Sequence, residues 1–453
     1  MKAGVAQTVI TPSAEGMFLI GPLAPSTGVH DDLLARVLVL DDGRERVVLV
    51  ALDLLGMSLA WGDWLRQRIQ DRAGVDAARI MLCFSHTHSA PLTIPWSAIG
   101  WAAAEPAARA WCEVIGAKVA QCVAQALACL KPAVIRSGRE PVRVGCNRRL
   151  PTPEGVTMAP NPAGPVVPWT DVLYVTDAPG KPLALVFSHA AHPVIVHGAS
   201  TLISADYPGY AVAEVRRCLG DEVVPMFVLG CAGDNNGEPL RGGFDAARAA
   251  GITLGAAAVR AAWRSRVLTA DRLTCLATRT ELPFRAPPSA EIEALLAGGG
   301  LPAVDLEQSG DDATKRWYDE DAVRCLKEVL EAASAGGGPG GLDCRVQGFA
   351  IGTEFCLVAM THEPFADYQL TAVRTSAFTH TMVVGYVNGL EAYLPGERDL
   401  AAGGYETAPL PLPGAPLRYR YRRNLAAGVE DRLKQTIGAL LERLAASARQ
   451  GGL

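Results

Sequence analysis

Arg79-Ile80-Met81-Leu82-Cys83-Phe84-Ser85-His86-Thr87-His88-Ser89-Ala90-Pro91 is the stretch on which the reading of this chain turns. Its first half is apolar on consecutive residues, which suits a strand covered on both faces. Its second half turns polar and ends in proline, so the strand runs into a loop. The whole chain holds 8 histidines, and two of them stand in this one tripeptide. On an extended segment, residues i and i+2 flank a neighbour that points the opposite way. With a turn beginning here, we expect His86 and His88 to diverge, one toward a metal and the other toward substrate or a supporting role. A lone His-x-His remains a modest signal, equally at home in a packed core.

Similar apolar runs recur at Arg36–Leu40, Val47–Leu52, Val134–Arg136, Val172–Val175, Leu183–Phe187, Val224–Leu229, Phe355–Met360 and Met382–Val387. Between them, Trp61–Arg72, Ala107–Leu130, Tyr210–Leu219 and Ala246–Arg264 carry apolar residues three and four apart, the spacing of a helix face. Val429–Ala446 does so most cleanly, through Leu433, Ile437, Leu440, Leu441 and Leu444. Strands interleaved with helices predict an α/β protein with a mixed β-sheet core flanked by helices. Gly/Ala/Pro-rich pieces at Ala297–Pro302 and Ala333–Gly341 bracket a charged excursion, read as a helical insertion at about 289–341. We otherwise expect one domain over residues 1–453.

Composition narrows the function. With 49% hydrophobic and 20% charged residues, the chain is globular. A net charge of −5 and the lack of a long basic run exclude nucleic acid as the main partner. No apolar stretch reaches the roughly 18–20 residues of a membrane span. The opening residues lack a basic-then-apolar leader pattern, and the 11 cysteines are odd in number and scattered. Free thiols in a reducing, cytoplasmic setting are therefore expected.

Four further polar segments follow strand-like runs. They are Phe187-Ser188-His189-Ala190-Ala191-His192-Pro193, Gly230-Cys231-Ala232-Gly233-Asp234-Asn235-Asn236-Gly237, Ala359-Met360-Thr361-His362-Glu363-Pro364, and Gly385-Tyr386 through Tyr393-Leu394-Pro395 with Gly404-Tyr405-Glu406 downstream. Strand ends are where α/β enzymes place their sites, and histidine nitrogens with a carboxylate suit Zn²⁺. By residue type alone His192 competes with His189 and His197, and Glu363 with His362. Asp53 and Asp234 are either supporting carboxylates or loop caps.

Together these segments resemble the catalytic domain of the neutral (non-lysosomal) ceramidase family. The shared order is His86-Thr87-His88-Ser89-Ala90-Pro91, Asn147-Arg148, His192, Leu202-Ile203-Ser204-Ala205-Asp206, Glu363, then Tyr393 and Tyr405. The resemblance implies zinc ligands His86, His192, Glu363 and Tyr393, with the offset to Asp206 selecting His192. It implies Arg148 and Tyr405 as oxyanion donors, and His88 as a group that orients water or carries a proton. The implied activity is zinc-dependent hydrolysis of an N-acyl amide bond in a small-molecule substrate. Ala90, Leu92, Thr93 and His362 stand where the family has glycines, so a more crowded rim is expected. The family's C-terminal β-sandwich is not expected here. Two other readings stay open: a zinc hydrolase or acyltransferase acting on a non-sphingolipid small molecule or modified peptide, and an inactive metal-binding scaffold.

Overall fold

A computed structural model describes residues 1–22, 24–93, 101–285, 288–297, 327, 330–331, 333–335, 340–407 and 425–450. Its centre is a mixed sheet in the order Val224–Leu229, Pro182–His189, Trp169–Asp177, Lys131–Pro141, Lys2–Val9, Leu34–Asp41, Arg46–Leu52, Ile80–Phe84. Most neighbours are antiparallel. At the two ends, Pro182–His189 pairs in parallel with Val224–Leu229, and Arg46–Leu52 with Ile80–Phe84. A second sheet runs Leu273–Pro283, Gly341–Ile351, Phe355–Met360, His380–Val384, its last pair parallel.

The two sheets pack face to face, and side-chain alternation shows why. In Arg46–Leu52, Val47, Leu49 and Ala51 join Phe349, Phe355, Leu357 and Met382 of the second sheet in one core. The intervening Val48, Val50 and Leu52 pack instead with Leu65 and Ile69 of helix Leu59–Ala73 and Ile115 and Val119 of helix Trp101–Ala128. Helices Asp206–Leu219 and Gly243–Trp263 cover the same outer face toward Phe187 and Phe227. On the far side, helix Val429–Gln450 buries the expected stripe, Leu433 through Leu444, against the second sheet. The result is helices, sheet, sheet, helices. The expected mixed sheet flanked by helices is found, with a second sheet inserted between sheet and C-terminal helix.

Of the supposed insertion, a helix spans Ser289–Ala297, and most of residues 298–339, including most of the charged excursion, lies outside the described residues. Among the described residues, no helix is long and apolar enough to cross a membrane.

Candidate metal centre

Each functional segment follows a strand that belongs to a parallel pair: Ile80–Phe84, Pro182–His189, Val224–Leu229, Phe355–Met360 and His380–Val384. Their C-terminal ends converge. Segment 386–388 knits the convergence, since Phe84 N–H donates to Tyr386 O (3.2 Å), Val387 N–H to Met360 O (3.1 Å) and Asn388 N–H to Leu82 O (2.9 Å). Short strands Glu363–Pro364 and Tyr393–Leu394 pair in parallel with Glu363 opposite Tyr393.

His86 sits at φ 64°, His362 at 69° and Tyr386 at 58°, a left-handed region that costs non-glycine residues about 1–3 kcal/mol each. Such backbone persists where surrounding contacts fix it, and it clusters at sites. The structure also corrects an expectation. His86 and His88 do not diverge: their rings lie 5.1 Å apart, and one nitrogen from each, with one from His192, falls within 4.8 Å of the others. All three histidines are buried.

The imidazoles are oriented from behind. His86 Nδ1–H donates to Leu55 O (2.6 Å), and His192 Nδ1–H to Ala232 O (2.7 Å), with Asn235 O at 3.1 Å. Carbonyls only accept, so each Nδ1 carries the proton and each Nε2 presents a lone pair inward. Both face the same oxygen, Glu363 Oε2, His192 at 3.0 Å and His86 at 3.4 Å. Burial, then the neighbouring Arg148, pushes His192 down to about 4, so its ring is neutral at pH 7. Acceptor therefore faces acceptor around one buried carboxylate, an arrangement completed by a cation. The donor set fits a divalent metal.

Tyr393 lies beside this cluster, its ring 6.4 Å from that of His192. The Tyr405 ring is 6.0 Å beyond it, and the Arg148 guanidinium lies 5.3 Å from the first ring and 5.9 Å from the second. Arg148 donates from Nε to Glu406 (2.7 Å), from Nη1 to Asn236 Oδ1 (3.0 Å) and from Nη2 to Gly233 O (2.7 Å), leaving two of its five N–H groups. Burial opposes its charge, but Tyr393 and Glu406 outweigh that and raise its pKa further. Gly233 also backs the carboxylate residue: a Cβ there would lie 2.5 Å from Glu363 O.

All seven residues singled out from the sequence (His86, His88, Arg148, His192, Glu363, Tyr393 and Tyr405) are gathered in one place. His362 is not a rival ligand, because its Nε2–H donates to Asp343 O and its Nδ1 accepts Glu391 N–H, each at 3.0 Å. It is buried, as are Ala90, Leu92 and Thr93, the last with its hydroxyl on Gly56 O. His189 donates from Nδ1 to Trp169 O (3.1 Å), a structural role. Asp53 is clamped on Arg36 and the Leu34 amide. Asp234 braces Asn147, Asn235 and the Ala366 amide from below. Tyr386 was not singled out, yet its hydroxyl lies 3.4 Å from Glu363 Oε2 and its ring 4.7 Å from that of His86. Its place directly after a strand-end glycine was the available signal. Glu406, next to Tyr405, was likewise quoted without a role.

A scan of protein-family models finds no match to this sequence, and no curated protein matches it. Among solved structures, the neutral ceramidase from Pseudomonas aeruginosa is similar with a TM-score of 0.71 at 20% identity, over 98% of this chain and 75% of that one. A ceramidase complexed with C2 is similar with a TM-score of 0.73 at 19% identity, over the same 98% and 75%. Identity at that level speaks to architecture. The chain has the fold of the neutral ceramidases, as its ordered motifs led us to expect.

Proposed function

We propose that this protein is a zinc-dependent hydrolase that cleaves an N-acyl amide bond. The observation that carries the reading is the buried ring of acceptors, with three histidine nitrogens within 4.8 Å and Glu363 between two of them, beside Arg148 and two tyrosines in a ceramidase fold. His86, His192, Glu363 and Tyr393 would hold the ion, with His88 close enough to join them. Bound there, zinc supplies Lewis acidity and a water that ionises near pH 7. Arg148, charged and held on three sides, and the Tyr405 hydroxyl offer donors for the oxyanion that develops on the substrate carbonyl. His88, whose ring lies 5.1 Å from His86 and 5.8 Å from His192, would pass a proton to the departing amine if it is not itself a ligand. Every cysteine among the described residues is free, in keeping with a reducing, cytoplasmic setting.

Elemental analysis of the purified protein, with turnover of a short-chain N-acyl-sphingosine and of simpler N-acyl amines, tests this. Stoichiometric zinc and amide cleavage that is lost with His86→Ala or His192→Ala are expected. A protein that retains no metal after zinc loading refutes the proposal. Zinc with cleavage of the simpler amides alone leaves a hydrolase of non-sphingolipid substrates.

A further inference from the structure

We propose that Arg149, the residue after the site arginine, is a positioning residue that pins the Tyr405 segment against Arg148 through their shared partner Glu406. The inference rests on the hydrolase reading above. Arg148 and Arg149 are neighbours on strand Gly145–Thr152, yet both guanidinium groups reach Glu406, one on each carboxylate oxygen. All three side chains are buried, at 6%, 5% and 2% exposure.

The first consequence is mechanical. The segment that delivers Tyr405 consists of helix Glu397–Ala402, only 6 residues long, followed by Gly403 at φ 75° and Gly404 at φ 97°. A helix that short has little stability of its own, and glycines in the left-handed region do not stiffen the chain. Arg149 grips this segment at both ends: Nε to Asp399 Oδ1 (3.1 Å), Nη2 to Asp399 O (3.3 Å) and Gly403 O (2.7 Å), and Nη1 to Glu406. Its cation also lies 5.4 Å from the Phe365 ring, two residues beyond Glu363.

The second consequence is electrostatic. Glu406 alone would cancel Arg148, leaving the two phenol rings beside a neutral pair. The second guanidinium shares Glu406, so that Arg148 is not the carboxylate's sole partner, while Asp399 on Arg149 keeps the group of two guanidinium groups and two carboxylates neutral overall.

Arg149→Met and Arg149→Lys test this on the full-length, zinc-loaded protein, with Asp399→Asn as a milder third variant. Zinc content should stay at the wild-type level. In Arg149→Met, kcat should fall about 10- to 100-fold with KM nearly unchanged, and lysine should restore part of the loss. Hydrogen exchange at the amides of Leu400, Gly403 and Thr407 should quicken in all three variants, whether or not metal is bound. Unchanged exchange in Arg149→Lys and Asp399→Asn, or a loss in KM rather than kcat, overturns the assignment. If the wild type cleaves no amide, the hydrolase reading fails while the exchange data still decide the role of Arg149.

Discussion

Glu363→Gln separates the metal reading from a purely structural one. In the wild type the carboxylate oxygen faces His192 Nε2 at 3.0 Å and His86 Nε2 at 3.4 Å, with both Nδ1 protons already committed to carbonyls. At pH 8 His192, pushed down to about 4, is neutral, so without metal the cluster sets lone pair against lone pair. A glutamine amide of nearly the same shape offers two N–H groups to those two nitrogens. At about 0.5–1.5 kcal/mol for each hydrogen bond, the metal-free variant should gain about 1–3 kcal/mol. The same change removes the one carboxylate between the histidines, so zinc affinity should drop by at least about 10- to 100-fold. Urea unfolding of the chelator-treated proteins at pH 8, with zinc titration by competition against a chromophoric chelator, reads both arms. A metal-free variant less stable than metal-free wild type, combined with undiminished zinc affinity, would refute the picture of an acceptor ring awaiting a cation.

Tyr405→Phe should keep the metal and lose about 2–4 kcal/mol of transition-state stabilisation, read as a fall in kcat; unchanged kinetics remove the hydroxyl from the mechanism. Arg36→Met should destabilise by about 3–5 kcal/mol, because it strands Asp53, now held at 2.8 Å with side-chain exposures of 2% and 4%. Adding Asp53→Asn should recover much of that loss, and a single variant as stable as wild type in urea would contradict it. Burial raises Asp206 to about 7 from 3.8, so its folded form favours the proton. Its contribution is therefore greatest below about pH 4 and declines as pH rises toward 7. The stability of Asp206→Asn relative to wild type should then rise from pH 4 to 7, and parallel stability–pH curves would exclude the shift.

The large sheet was legible because its strands are buried on both faces and so read as unbroken apolar runs, Val47–Leu52 and Val224–Leu229 among them. The strands Leu273–Pro283 and Gly341–Ile351 were not, because Thr, Arg and Glu interrupt the first along its length, and Asp343, Arg345 and Gln347 break up the apolar residues of the second. Without them the second sheet could not be foreseen, and the architecture looked one layer thinner than it is. At the site, residue types pointed to a metal at the strand ends, and the resemblance to the neutral ceramidases named the residues of the cluster. The positive φ at His86 has no sequence signature in a histidine, and the shared direction of His86 and His88 had to come from the structure. Tyr386 was hidden because nothing in its residue type sets it apart from Tyr393 and Tyr405, and only its contacts with Glu363 and His86 show that it faces the cluster.

His86 and His192 stand on loops of the large sheet, whereas Glu363 and Tyr393 form a separate two-stranded pair that follows strands of the smaller one. An ion held by all four, as proposed, would rivet the two halves of the molecule together. Its binding energy then opposes any motion that parts them, and whatever pries the halves apart dismantles the centre in the same step. Resistance to unfolding should accordingly track free zinc, and exchange of the ion should be slow, paced by the opening of the whole interface rather than by a loop.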